Sequence, residues 1–257
     1  MRQWMQFKIK LTTQTPFRIG GVKPAIETTV ESPVVRLGDK IVVQGTSLKG
    51  AYRAELERYF IDTFFDKTNK KWREQWLKPC IPADEKTISP DERKLVNKGF
   101  YKYSCKYPQR EKDYPSSERY ICPVCYLLGA QGLIGFIHVP FLNLTKGNAE
   151  PLAFIRKDRI AGVSARGALA KFEGIPSGSV FEGIMNVLIQ DDVTGWSLGQ
   201  KRDLADSLGD KWLETNEWNK DRIETELIIN RLQSIKHLGG YISKGFGLID
   251  IKVEQSK

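Results

Sequence analysis

The apolar residues of this chain change their spacing along its length, and that change limits the folds open to it. "MQFKIKLTT" sets Phe7, Ile9 and Leu11 on one face and Lys8, Lys10 and Thr12 on the other, the period of a half-buried strand. "PVVRLGDKIVVQG" reads as a hairpin of two short strands around Leu37-Gly38-Asp39, with Val34, Val35, Ile41, Val42 and Val43 supplying β-branched bulk. The period then lengthens. In "LKGAYRAELERYFIDTFF" Leu48, Tyr52, Leu56 and Tyr59 or Phe60 recur at helical spacing, and Thr46 or Ser47 stands where an N-cap belongs. The alternation repeats further on. "SVFEGIMNVLI" is a strand with Val180, Ile184, Val187 and Ile189 as its apolar positions. "RIETELIINRLQSIKHLGG" is a helix through Ile223, Leu227, Ile228, Leu232 and Ile235 with Gly239 as its C-cap, and "GLIDIKVE" is a last strand. Strand, hairpin, helix, then strand, helix, strand is the order of a split βαβ, ferredoxin-like sheet, an α+β class fold carrying insertions.

A chain of 257 residues is at the upper edge of what one core organises, and we read a single elaborated domain over 1–257. With 40% hydrophobic and 28% charged residues it has the composition of a folded globular protein. No apolar run approaches the roughly 18 residues of a membrane span, and "MRQWMQFKIKLTT" lacks the features of a secretory signal, so a cytoplasmic protein without membrane partners is expected. The net charge of +9 favours a polyanionic partner.

Residues 66–135 break the periodic pattern. They are lysine-rich, punctuated by Trp and Pro, and hold every cysteine, which reads as an insertion with little core of its own. In a reducing cytosol, the clustering of Cys80, Cys105, Cys122 and Cys125 suggests a metal rather than disulfides. Cys122-Pro-Val-Cys125 has the spacing of a zinc knuckle, and four thiolates suit a closed, structural zinc site; one cysteine pair plus two separate thiols is the alternative. His138 and His237 read as ordinary structural residues.

Three other stretches carry cations in useful places. Lys49 and Arg53, four apart, share the first turns of the first helix with the hydroxyls of Thr46 and Ser47, a natural anion site. Residues 151–178 form a basic hairpin in which Arg156, Lys157, Arg159, Arg166 and Lys171 are interleaved with Ile155, Ile160, Val163 and Leu169, a pattern suited to a nucleotide strand. The segment "KHLGGYISKGFGLIDI" places Gly239, Gly240, Gly245 and Gly247 around Lys244 and Phe246, where a backbone without Cβ atoms can approach a bulky ligand and present amides to phosphate.

Taken in order, "PFRIGG", "VESPVVR", "VQGTSLKGAYRAELE", "CPVCYLLG", "FIRKDRIAGVSARGALAKFEGIPSGSVFEG" and "LGGYISKGFGLIDI" resemble the successive motifs of the RAMP superfamily. They are most similar to the crRNA-binding backbone subunits of type III (Csm/Cmr-type) CRISPR-Cas effector complexes. The resemblance covers most of the chain outside roughly 61–120 and 190–220. It implies an RNA-recognition-motif-like (ferredoxin-like) core, a cysteine-bearing zinc insertion and a protruding β-hairpin thumb. The implied partners are crRNA, complementary target RNA, other effector subunits, and copies of the chain or its paralogues along the guide.

By matching motif, the resemblance assigns Arg18, Ser47, Lys49, Arg53, Arg156, Lys157, Arg159, Arg166, Gly240, Lys244, Gly245 and Gly247 to RNA binding. The family's target-cleaving subunits carry an aspartate where this chain has Glu31. Glutamate keeps the carboxylate but adds a methylene, and active-site geometry is sensitive on the scale of about 1 Å, so weak or absent target-RNA cleavage is expected. A divalent metal such as magnesium would be needed only if cleavage occurs. The alternative is a metal-independent endoribonuclease that processes crRNA precursors. It is disfavoured because no histidine precedes His138 to do acid–base work. A zinc-containing DNA-binding module is a third class, and the cysteine segment lacks finger spacing for it.

Overall fold

A computed structural model describes the chain except for residues 22–31, 84–85, 109–117, 158, 161–162, 206–207, 216 and 257, and except for the side chains of 156–157 and 164–169. Glu31 lies outside the described residues, as do the side chains of Arg156, Lys157 and Arg166. The strands are β1 (Arg2–Thr13), β2 (Arg36–Leu37), β3 (Lys40–Val43), β4 (Phe65–Asp66), β5 (Lys71–Trp72), β6 (Ile137–His138), β7 (Leu142–Lys146), β8 (Glu150–Lys157), β9 (Ser164–Gly174), β10 (Val180–Asp191), β11 (Trp196–Ser197) and β12 (Ile249–Gln255). The helices are α1 (Gly45–Phe64), α2 (Pro90–Asn97), α3 (Pro123–Leu128) and α4, which runs through Lys220–Arg222, a π-helical Ile223–Ile229, and Asn230–Ser234.

The alternation in β1 does what its period requires. Phe7, Ile9 and Leu11 are fully buried, while Lys8 and Lys10 are exposed. β1 is central, pairing antiparallel with β10 on one side and β12 on the other. The path of the large sheet is β12-β1-β10-β7-β3-β2, with β6 and β11 also on β10. Phe181, Met185 and Val187 of β10 and Ile249, Ile251 and Val253 of β12 extend the buried face. Each fully buried side chain of this size contributes on the order of 1.5–3 kcal/mol. Ile184 is on the opposite, open face and is 51% exposed.

Helix α1 covers the core with Leu48, Tyr52, Leu56 and Phe60, the stripe expected from sequence. The Tyr52 hydroxyl donates to Leu227 O of α4 at 2.8 Å, tying the two helices where both are buried. Two helix-end expectations are corrected. α1 starts at Gly45, with Gln44 as an N-cap that makes no side-chain bond, so Thr46 and Ser47 lie inside the first turn. The earlier start needs glycine, since a Cβ on Gly45 would sit 2.9 Å from Val139 O. α4 ends at Ser234, before extended Ile235, and Gly239 (φ +91°) belongs to a separate turn.

The hairpin expected around Leu37-Gly38-Asp39 forms, with Gly38 at φ +59°. β8 and β9 pair as a two-stranded hairpin apart from the large sheet. The cysteine segment is tied to the common core. All six residues of α3 are buried, and the four cysteines, Tyr120 and Ile121 belong to the same apolar cluster as β1 and α1. Among the described residues no helix is long and apolar enough to cross a membrane.

Candidate nucleic-acid interface and four-cysteine centre

The four cysteines converge. Cys80, Cys105, Cys122 and Cys125 are buried, and their sulfurs all lie within 4.8 Å of one another. Tetrahedral zinc with Zn–S bonds of about 2.3 Å needs sulfurs about 3.8 Å apart, so little movement would seat the ion. Pro123 opens α3 between the paired cysteines, and the Cys122 amide donates to Cys105 Sγ at 3.4 Å. Cys80 is brought in by a short parallel bridge to Lys102, in which Lys102 N donates to Pro79 O and Ile81 N to Lys102 O.

Two cations flank the sulfurs. Lys102 is fully buried, donates to Glu118 O and Tyr120 O at 2.8 and 2.9 Å, and lies over the Tyr120 ring. Arg53 reaches in from α1, with Nη2 3.4 Å from both Cys125 Sγ and Gly129 O and Nη1 3.3 Å from Glu57. Burial works against the charge on Arg53, but the sulfurs of Cys125, Cys80 and Cys122 outweigh it and raise the guanidinium's pKa. At Lys102 burial is likewise outweighed by Cys105, Cys80 and Cys122, and the ammonium is favoured.

The other side of Arg53 faces a cleft of about 470 Å³. Its walls include Lys49, Arg53, the loop from Gly129 to Gly135, Ile137 and His138. Here burial first, and then the neighbouring Arg53 charge, lowers the pKa of Lys49. The cleft therefore holds two cations that an entering anion would stabilise. Its floor loop is held from behind: buried Arg202 donates to Ile134 O at 3.1 Å while paired with Asp210. Ser47 sits on the same first turns of α1.

A second cluster joins the β8–β9 hairpin to the glycine-rich loop. Phe154, Phe172, Tyr241 and Phe246 form a ring cluster with centroid separations of 4.5 to 6.1 Å. The Lys244 ammonium lies 4.1 Å over Phe154. Arg18 is buried beneath, stacked on Phe172 and Tyr241, and its Nε and Nη2 donate to Glu173 O and Ser32 O. The Glu173 carboxylate receives Val34 N and both Arg36 nitrogens. The Arg36 hydrogen bonds hold the Glu173 pKa below the usual carboxylate range.

The loop's glycines have causes within the chain itself. A Cβ on Gly239 would collide with Arg18 O, one on Gly247 would sit 2.5 Å from Leu238 O, and Gly245 has φ +84°. Gly240 donates its amide to Arg18 O at 2.9 Å. Of the hairpin cations, Arg159 is described and exposed near the tip, beside fully exposed Ile160.

Lys49 and Arg53 are thus brought together at one cleft, with Ser47 on the same first turns of α1 but not among the cleft walls, and Arg18, Lys244, Gly240, Gly245 and Gly247 at the hairpin base. Sequence reading missed the Glu173–Arg36 pair, buried Lys102, and the contact of His138 with the Trp4 ring at 4.7 Å. The first two join residues far apart in sequence, so no local spacing announces them. Trp4 has a weak signal: a large aromatic on the lysine face of β1.

This is a mixed α/β protein with a large antiparallel sheet, a helical layer on one face, and a buried four-cysteine group able to hold a metal such as zinc. The model of the RAMP superfamily matches residues 10–250, and the chain belongs to that superfamily. A chain from a cryo-EM structure of the type III-B Cmr-beta complex bound to cognate target RNA matches with a TM-score of 0.51 at 10% identity. The match covers 99% of this chain and 61% of that one, so this chain spans about three fifths of that relative's length. The likeness shows the fold. No curated protein matches the chain.

Proposed function

We propose that this protein is a guide (crRNA)-binding subunit of a type III CRISPR effector complex, with other effector subunits, copies of itself or paralogues, and complementary target RNA as its partners. Membership of the RAMP superfamily and the fold shared with a chain of a Cmr complex support the class. The observation that carries RNA binding is the cleft at the start of α1. Burial and a like charge disfavour the Lys49 ammonium there until an anion arrives. The sheet order β12-β1-β10-β7, with α1 and α4 packed together, supports an RNA-recognition-motif-like core. The β8–β9 hairpin serves as the thumb, with Arg156, Lys157, Arg159 and Arg166 meeting phosphates. Arg18 holds the base of that hairpin, and the amides and Lys244 of the glycine-rich loop lie beside it.

The four cysteines hold structural zinc. Four thiolates and one zinc ion carry a net charge of about −2, and Arg53 and Lys102 supply two compensating cations. A closed sulfur shell leaves no position for catalysis, so the ion fixes α3, the cleft loop and Arg53. Glu31 precedes Ser32, whose carbonyl is held by Arg18 and by the Glu173 amide. Its added methylene relative to aspartate points to weak or absent slicing. Target cleavage by the assembled complex with divalent metal, in wild type, Glu31→Ala and Glu31→Asp, tests this; robust cutting abolished only by Glu31→Ala would reverse it.

The experiment for the main reading is purification of the native complex followed by sequencing of bound RNA. Short RNAs carrying a common repeat-derived end are expected. A chain that purifies alone and free of RNA from cells containing a CRISPR array would refute the reading.

A further inference from the structure

The open face of the large sheet carries a feature that the cleft and the hairpin do not use. On three adjacent strands the register brings Gln6 opposite Asn186 and Asn186 opposite His138. Side chains at opposed positions share a face, so these three polar groups form a row across β1, β10 and β6. Trp4, two residues from Gln6, lies on the same face beside a register shift at Gln3/Trp4. Its ring meets His138 at 4.7 Å and 52°, an open wedge rather than a closed stack. The four side chains line a pocket of about 240 Å³. That is below the roughly 300–1,000 Å³ of pockets for drug-sized ligands and on the scale of a single flat ring system.

The chemistry of the walls is specific. Gln6 Nε2 donates to Asn186 Oδ1 at 3.1 Å, which fixes both amides. Gln6 Oε1 and the Asn186 Nδ2 hydrogens then have no protein partner among the described residues, leaving one acceptor and one donor side by side. That is the complement of a nucleobase edge, and sequence-specific RNA recognition stacks unpaired bases on aromatic rings while reading their edges. Trp4 is 37% exposed, so its ring offers a face for stacking. His138 is also a wall of the Lys49–Arg53 cleft, so a cationic trough and an aromatic pocket adjoin through one side chain. A nucleotide whose phosphate lies in the trough would have its base within reach of the pocket.

We propose that Trp4, Gln6, His138 and Asn186 form a pocket for one unpaired RNA base, stacked on Trp4 with its edge read by the Gln6–Asn186 pair, next to the phosphate cleft at Lys49 and Arg53. This deepens the RNA-binding reading above and rests on it. It adds base contact to a surface otherwise built for phosphate, and gives one position along the bound strand a base preference.

The test compares binding of a fluorescently labelled single-stranded RNA with that of the same ribose-phosphate chain lacking its bases. Base–aromatic stacking corresponds to about a 5- to 150-fold change in affinity. Wild type should bind the intact strand more tightly than the abasic one by a factor in that range. Trp4→Ala should lower affinity for the intact strand toward the abasic value and leave abasic binding unchanged, and Trp4→Phe should restore much of the difference. Asn186→Ala should flatten preferences among oligo(A), oligo(C), oligo(G) and oligo(U). Wild-type affinity and discrimination in a Trp4→Ala protein with native circular dichroism would overturn the pocket alone. Absence of any RNA binding by wild type would overturn the RNA-binding reading, and the pocket with it.

Discussion

Asp210→Ala should be among the most damaging single changes in this protein. Asp210 and Arg202 are both fully buried and paired through two bonds, Nε to Oδ2 and Nη2 to Oδ1, each 2.8 Å. Asp210 Oδ2 also accepts the Arg202 amide at 3.1 Å. The guanidinium is boxed by Tyr126, Phe136 and Trp196 at 4.8 to 5.5 Å, so it has no path to water once its partner is gone. Removing one member of such a pair costs about 3–5 kcal/mol, against a total stability of about 5–15 kcal/mol for a domain. With an m-value of about 6 kcal/mol/M in guanidinium chloride, the midpoint should fall by about 0.5–0.8 M. Equilibrium denaturation followed by tryptophan fluorescence and circular dichroism measures it. The double replacement Arg202→Met with Asp210→Leu should lose less than Asp210→Ala, because no charge is left stranded. A midpoint shift for Asp210→Ala below about 0.2 M at unchanged m would show that the pair is not the anchor described, and with it the support of the cleft loop at Ile134 O would fall.

Elemental analysis of protein purified without chelator should find about one zinc per chain, and stripping it should weaken RNA binding as well as stability, because Arg53 contacts Cys125. Metal-free protein with native stability and RNA affinity would contradict this. Gly239→Ala forces a side chain into φ +91° and against the Arg18 carbonyl, and should destabilise by about 1–3 kcal/mol in thermal melts. Glu173 has a folded-state pKa below its unfolded value, so its contribution is present above about pH 4.3 and is lost as pH falls through the folded value. Hydrogen exchange at the Val34 amide should therefore accelerate relative to intrinsic rates on acidification, and Glu173→Gln should abolish that pH dependence.

The helix stripe Leu48–Tyr52–Leu56–Phe60 and the buried face of β1 were legible because period alone decides which side chains meet the core. The cysteine quartet was legible because thiol ligands are chemically conspicuous even at irregular spacing. At both misplaced helix ends the glycine answers to another segment: Val139 crowds Gly45 inside α1, and Arg18 crowds Gly239 in a turn beyond α4, contacts that local capping preference does not reveal. The same holds for residues 190–220, where no period appears. There Trp212, Trp218 and the Arg202–Asp210 pair fill the core from irregular chain. The glycine-rich loop was recognised but its cause was only half visible. Two of its glycines answer to carbonyls that approach only once the chain is folded.

The most direct test of the account is the salt dependence of single-stranded RNA binding by wild type and by the Lys49→Ala, Arg53→Ala double variant, measured by fluorescence anisotropy with zinc content checked in both. Each lost phosphate contact to a single strand lowers the magnitude of the slope of log K against log salt by about 0.7, so the double variant should lose about 1.4 from its slope and bind more weakly across all sequences alike. Equal affinity and equal slope in the two proteins, both zinc-loaded and folded, would contradict the assignment of the α1 cleft to guide phosphates.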